Sequence, residues 1–372
     1  MTEQKYGMGG TVALVIAHCA GMLDLTALPV WVGALVERFE FSPQQAGGIV
    51  TLFLLGAVAA SLFVAPRLNR INQKLASTAG YGIAALAFFV ASTQSGLVPL
   101  AALHLVAGLS VGTGLSMVHG AIGKSENPHR LFAVAGIAIG LLGIVLLGVL
   151  PQLMIDFGRQ ILFQVFGFFM AVACVFCALL FVNPKRGEAH GSAPFGRAIW
   201  FTIFGISAMT FNQAMVFSFV EVIGKLRGFS AEGVLGVLIA LGVVNFLIPS
   251  PLAAILQKRL AAETVVRIGP AVQAVFAMIV TSATAFSLWA PVAAFFVAIQ
   301  IFTHTFAFGL LARLDRTGRA VAATPAMLMI GAALGPIVGG ALGQNFGFGA
   351  LGAAGVAVAI LSIGFFTKAR LA

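Results

Sequence analysis

Residues Ala17 to Trp31 read AHCAGMLDLTALPVW, an apolar stretch carrying one carboxylate, Asp24, and, five residues later, Pro29. It lies within an apolar run of about residues 9–35, long enough to cross a bilayer as a helix. An ionisable group at that depth costs several kcal/mol unless it faces a bundle interior or a wet cavity, so a buried acid is read first as a functional group. Asp24 is the only acidic residue deep inside an expected span. The competing reading is a structural hydrogen bond from Asp24 to a Ser, Thr or His of a neighbouring helix. Pro29 removes one helical N–H and suits a span that bends.

Composition points the same way. Of 372 residues 60% are hydrophobic and 9% charged, with mean hydropathy +1.05, the profile of a polytopic membrane protein. Runs of membrane-crossing length fall at about 9–35, 44–66, 75–95, 97–119, 132–154, 161–182, 199–222, 231–255, 265–288, 291–312, 321–344 and 347–367, predicting twelve helices. No small-residue cleavage site ends the first run, so no removable signal peptide is expected. Cys19, Cys174 and Cys177 all lie in apolar runs, which argues against disulfides. Cys174 and Cys177 form a C-x-x-C with no second ligand pair, so neither a metal site nor a cofactor is expected.

The net charge of +10 raises the question of nucleic acid, and its placement answers it. With the N-terminus inside, the cytoplasmic segments carry Lys5; Arg67, Arg70, Lys74; Lys124, Arg130; Lys185, Arg186, Arg197; Lys258, Arg259, Arg267; Arg313, Arg316, Arg319; and Lys368, Arg370, which is 17 of the 21 basic residues. That asymmetry puts both termini in the cytoplasm and predicts no nucleic-acid partner. Trp31, Trp200 and Trp289 fall near span ends, where an aromatic belt belongs.

The longest polar connection, residues 183–198, separates an N-terminal six-helix bundle (1–182) from a C-terminal one (199–372). The halves read as diverged copies. ERFEFSPQQAGGI from Glu37 and KLRGFSAEGVLGV from Lys225 share a Phe-Ser step at an offset of 188, and PRLNRINQKL from Pro66 pairs with PLAAILQKRL from Pro251 at 185. A parallel six-plus-six repeat is a transporter signature.

Three local patterns carry a family resemblance. The loop after the second span reads APRLNRINQK, retaining Arg70 and Lys74 of a Gly-x-x-x-Asp-Arg-x-Gly-Arg-Lys/Arg pattern, with Asn69 in place of the acid. The fourth span, LHLVAGLSVGTG, sets His104 where an Arg is usual and keeps Gly108. In the eleventh span GAALGPIVGG places Gly331, Gly335, Pro336, Gly339 and Gly340 on every specified position of Gly-x-x-x-Gly-Pro-x-x-Gly-Gly. On these the chain resembles the major facilitator superfamily along its whole length. The resemblance implies a latch at Arg70 and Lys74, hydrogen-bonded once the acid is lost; simple positive-inside residues are the rival reading. It also implies a packed, bendable contact at the glycine-proline motif, with tight packing alone as the rival. Spans one, four, seven and ten are then expected to line the cavity.

On those spans Asp24 and His104 are the candidates for proton coupling, both being groups whose protonation can alternate during a cycle. Thr26, Asn212, Gln213, Gln300 and His304 are the candidates for substrate hydrogen bonds. Offset 188 sets Asn212 in register with Asp24. Glu221 is read as an outer-interface residue, with a second acidic site as the alternative. No cavity position holds Arg or Lys, which favours a neutral or cationic solute.

The chain is thus expected to be an all-α membrane protein of the bacterial inner (plasma) membrane: a monomeric secondary transporter in contact with lipid. It would export a small neutral or cationic amphipathic compound in exchange for protons. Proton symport for uptake of a small metabolite and a non-transporting membrane sensor are the rivals. An enzyme is not expected, because no nucleophile stands with a base at motif spacing and there is neither H-E-x-x-H nor a phosphate loop.

Overall fold

A computed structural model describes residues 5–64, 67–68, 70–184, 194–315, 320 and 324–371. Among the described residues twelve helical segments are long and apolar enough to cross a membrane: Met8–Glu37, Pro43–Val64, Gln73–Ala91, Leu97–Gly123, Arg130–Phe157, Ile161–Leu180, Arg197–Leu226, Ala231–Leu256, Ala262–Ser282, Phe286–Leu314, Met327–Phe346 and Gly349–Arg370. They are referred to as spans one to twelve. Asn72, Asn127 and Ser230 cap helices by accepting from the N–H three residues on.

Three spans are interrupted. Span eight stops at Leu247 and resumes as Pro249–Leu256, because Pro249 has no N–H to donate to the preceding turn and is tolerated at a helix start. Span one divides into Met8–Gly21 and Leu23–Glu37 at Met22, seven residues before the proline at which the sequence predicts the bend. Span seven divides into Arg197–Phe217 and Val220–Leu226. At both of these breaks a hydroxyl competes with the backbone for the carbonyl four residues back. Thr26 Oγ1 donates to the Met22 carbonyl at 3.0 Å while its own N–H lies 3.4 Å from it, and Ser218 Oγ donates to the Ala214 carbonyl at 2.6 Å.

The chain forms two compact units, Met1–Leu28 with Leu52–Ser192 and Pro29–Thr51 with Ala193–Ala372. Contacts therefore group the hairpin Pro29–Thr51 with the C-terminal spans. Of the expected linker 183–198, residues 185–193 lie outside the described ones. In the first unit span three packs on spans four and six, and helix Met8–Gly21 on spans five and six. The same pairings recur six spans later, span nine on ten and twelve and span seven on eleven and twelve. The first core is aromatic, with Phe88, Phe163 and Phe166 mutually packed. The second is built from residues such as Ile206, Val266, Phe306, Leu311 and Phe366.

Trp200 is exposed, as a belt residue should be, but Trp31 and Trp289 are fully buried. Trp289 fills the space left by Gly224 and donates to the Val280 carbonyl at 3.2 Å, so packing rather than an interface holds it.

Candidate functional site

In the first unit the break at Met22 makes a fresh helix N-terminus inside the membrane-crossing segment, and Asp24 stands in its first turn. Free N–H groups and the helix dipole favour a carboxylate there. Asp24 is 3% exposed, and neither carboxylate oxygen has a hydrogen-bond partner among the described residues. Gly21 permits close approach of spans three and four: a Cβ there would lie 2.7 Å from Leu115 and 2.9 Å from the Tyr81 hydroxyl. Tyr81 is fully buried, donates to the Ala17 carbonyl at 2.7 Å and lies within electrostatic reach of Asp24 and Cys19. A tyrosine on a span outside the expected cavity set gave no sequence signal for this position. Thr26, expected to meet substrate, spends its hydroxyl on the Met22 carbonyl.

His104 is fully buried between Phe88 and Phe163, edge-on to both rings, and its Nδ1 lies 2.6 Å from the Leu100 carbonyl of its own helix. A carbonyl only accepts, so Nδ1 carries a proton. A different histidine reaches across the unit. His18 Nδ1 lies 3.0 Å from Nε2 of His119 on span four, with Phe132 of span five set edge-on to both rings.

In the second unit the repeat meets itself. Glu37 and Lys225, equivalent positions at offset 188, form an ion pair at 2.6 Å. Lys225 also pairs with Glu221 at 2.7 Å, and Glu221 is 7% exposed, contrary to the expectation of an interface-facing residue. Gly33, the position equivalent to Glu221, makes the room: a Cβ there would lie 2.7 Å from Glu221 Oε2.

A second polar set runs through spans seven, nine and ten. Asn212 Nδ2 donates to Gln273 at 3.3 Å, Gln273 Nε2 to Gln300 at 3.1 Å, Gln300 Nε2 to Thr210 at 2.9 Å, and Thr210 Oγ1 to the Ile206 carbonyl at 2.9 Å. Every member is at most 5% exposed. The donors all point one way, so the chain is polarised and its end is an acceptor, Asn212 Oδ1, which faces Gly355 and has no hydrogen-bond partner among the described residues. Asn212 and Gln300 are thus brought together through Gln273, which lies outside the four spans expected to line the cavity. Gln213 is half-buried. His304 stacks on Phe308 at 4.8 Å with its Nδ1 unpartnered.

The glycine-proline motif is a two-sided contact. Gly331, Gly335 and Gly339 lie against the backbone of span seven at Ser207 and Met215, leaving no room for a Cβ. On the other side Gly340 meets Pro43, the Pro336 carbonyl meets Gly47, and Thr51 Oγ1 accepts from the Ile337 N–H at 3.2 Å. At the other loop Arg70 is exposed, and Asn69 lies outside the described residues. The Lys74 N–H donates to Asn183 Oδ1 at 2.8 Å and Asn183 Nδ2 donates to Asn72 at 3.0 Å, a neutral tie between this loop and the end of span six.

The fold is similar to that of a bacterial homologue of the human lysosomal transporter Spinster, in an inward-facing and occupied conformation (TM-score 0.76, 13% identity, 97% of this chain and 96% of that one). It is likewise similar to the nucleoside transporter NupG (TM-score 0.72, 14% identity, 96% and 99%). No relative among curated proteins matches. The family model of the Major Facilitator Superfamily matches residues 14–314, and the chain belongs to that superfamily of membrane transporters.

Proposed function

We propose that the chain exports a small neutral or cationic amphipathic compound in exchange for protons, by alternating access. The observation that carries this is Asp24, a buried carboxylate with no side-chain hydrogen-bond partner among the described residues, at an intramembrane helix N-terminus. Such a group takes up a proton, or a cationic or hydrogen-bond-donating solute, and serves them only in turn. Mutually exclusive occupancy is exchange, so protons entering drive solute out. The amide chain suits the same class of solute, because its end at Asn212 accepts a hydrogen bond. Spans one, four, seven and ten carry Arg or Lys only at their ends, leaving an organic anion no fixed partner. Gln213 and His304 supply further polar contacts. The Glu37–Lys225–Glu221 cluster and the Gly47–Pro336 contact form a clasp that opens once per cycle. In this reading the protein is monomeric in a bacterial inner membrane with both termini cytoplasmic.

The test uses proteoliposomes holding a lumenal pH dye, to which a panel of neutral, cationic and anionic solutes is added outside. Alkalinisation by a neutral or cationic solute is the expected result, since entering solute drives protons out in either orientation of the protein. Acidification would mean symport and would overturn the exchange reading. Full pH-driven flux in Asp24→Asn would remove Asp24 from the coupling role.

A further inference from the structure

We propose that His18 and His119 form a second proton-holding site, a shared-proton imidazole pair that passes protons between Asp24 and the side of the membrane where Tyr6 and Lys124 lie. This rests on the coupling role proposed for Asp24.

The geometry is restrictive. Two imidazole nitrogens 3.0 Å apart attract only if one carries a hydrogen and the other a lone pair. The pair therefore exists as two neutral rings or as one imidazolium donating to one imidazole, and a doubly charged pair is excluded at this distance. Taking a proton from Asp24 makes one N–H bond and breaks one O–H bond. Release from the far ring restores two neutral imidazoles, with no change in oxidation state.

The surroundings form a path rather than a cage. His18 lies six residues before Asp24, about 9 Å at helical rise, across the break at Met22. The Tyr81 hydroxyl stands in that interval, on the Ala17 carbonyl. On the far side Tyr6 donates to the Ala121 carbonyl at 3.1 Å, two residues beyond His119. Burial pushes the Tyr6 hydroxyl up to about 12, so it remains a neutral O–H at this end of the pair. Phe132 walls the pair from span five. The titratable groups on the packed elements include Tyr6, Cys19, Tyr81, His104 and Lys124 on or at the end of span four, where burial pushes the ammonium down, Arg130 and Asp156 on span five, and Cys174 and Cys177 on span six.

The experiment is nitrogen-15 NMR of histidine-labelled full-length protein, as wild type and as His18→Gln and His119→Gln, each of which keeps a hydrogen-bonding side chain but cannot hold a proton. One proton-uptake event that belongs to both rings and disappears in either variant is expected. Two independent titrations, or none between pH 4 and 9, would overturn the proposal. In the pH-driven flux assay each variant should lose about tenfold or more, while solute exchange without a gradient persists. Full pH-driven flux in both variants beside loss in Asp24→Asn would overturn the relay and leave the Asp24 reading intact. Full flux in Asp24→Asn would fail that reading, and the NMR would still report on the pair.

Discussion

Spans one and seven are each broken and each carry an acid in the first turn after the break, at positions the repeat does not equate, yet the two carboxylates have opposite fates. Asp24 stands in the first turn of Leu23–Glu37, and Glu221 in the first turn of Val220–Leu226. Both are buried, and both gain from the N–H groups that a helix break exposes. Glu221 is paired with Lys225, itself shared with Glu37, whereas Asp24 has no side-chain partner among the described residues. A paired buried charge holds a structure together, while an unpaired one at the same kind of helix start is left for a proton or a solute. Each span thus sets a carboxylate just after a break, and in span seven an internal cation closes it.

The largest effect should separate the two acids by function. Asp24→Asn is expected to lower pH-driven solute accumulation by about a hundredfold or more while the melting temperature stays close to wild type. Glu221→Gln should do the reverse, losing melting temperature and keeping the sign of proton movement in the lumenal dye assay. Loss of coupling in both variants would erase the distinction.

Next, Lys225→Met strands Glu221 without its cation, and a destabilisation of about 1–3 kcal/mol is expected in thermal unfolding. Adding Glu221→Leu to it should recover most of that, since replacing both partners removes the stranded charge. Gly33→Ala places a methyl group in the space that Glu221 occupies and should cost about 1–3 kcal/mol in thermal unfolding. Gln273→Leu cuts the amide chain between Asn212 and Gln300, and about 1–3 kcal/mol of stability should go with it, together with weaker binding of hydrogen-bond-donating solutes. The smallest change belongs to Glu37→Gln, at about 1 kcal/mol or less, because that ion pair is about one-third exposed.

Apolar run length, the distribution of basic residues, the weak repeat and the glycine-proline motif were all readable in order along the chain. They depend on the membrane and on local geometry, which impose their rules on each segment separately. Asp24 was legible for the same reason, as a charge in an apolar run. The repeat offset of 188 also put Glu37 beside Lys225 in an alignment before any contact was known.

Partnership was not legible. His104 looked like a coupling group because it sits mid-span, and only the folded unit turns it into an aromatic pocket against its own helix carbonyl. His18 meets His119 across 101 positions of sequence, and Tyr81 and Gln273 enter from spans that gave no sign of it. Thr26 is diverted to its own helix by a break that no proline marks. The sequence alone determined how many helices are long and apolar enough to cross the bilayer, which ends are basic and that Asp24 is buried, though not that Glu221 is, because hydropathy and charge act residue by residue against a fixed slab of hydrocarbon. Helix rotation and contact decided which polar groups satisfy one another and which are left for a proton or a solute, because a hydrogen bond requires two atoms within about 3 Å and that distance exists only after packing.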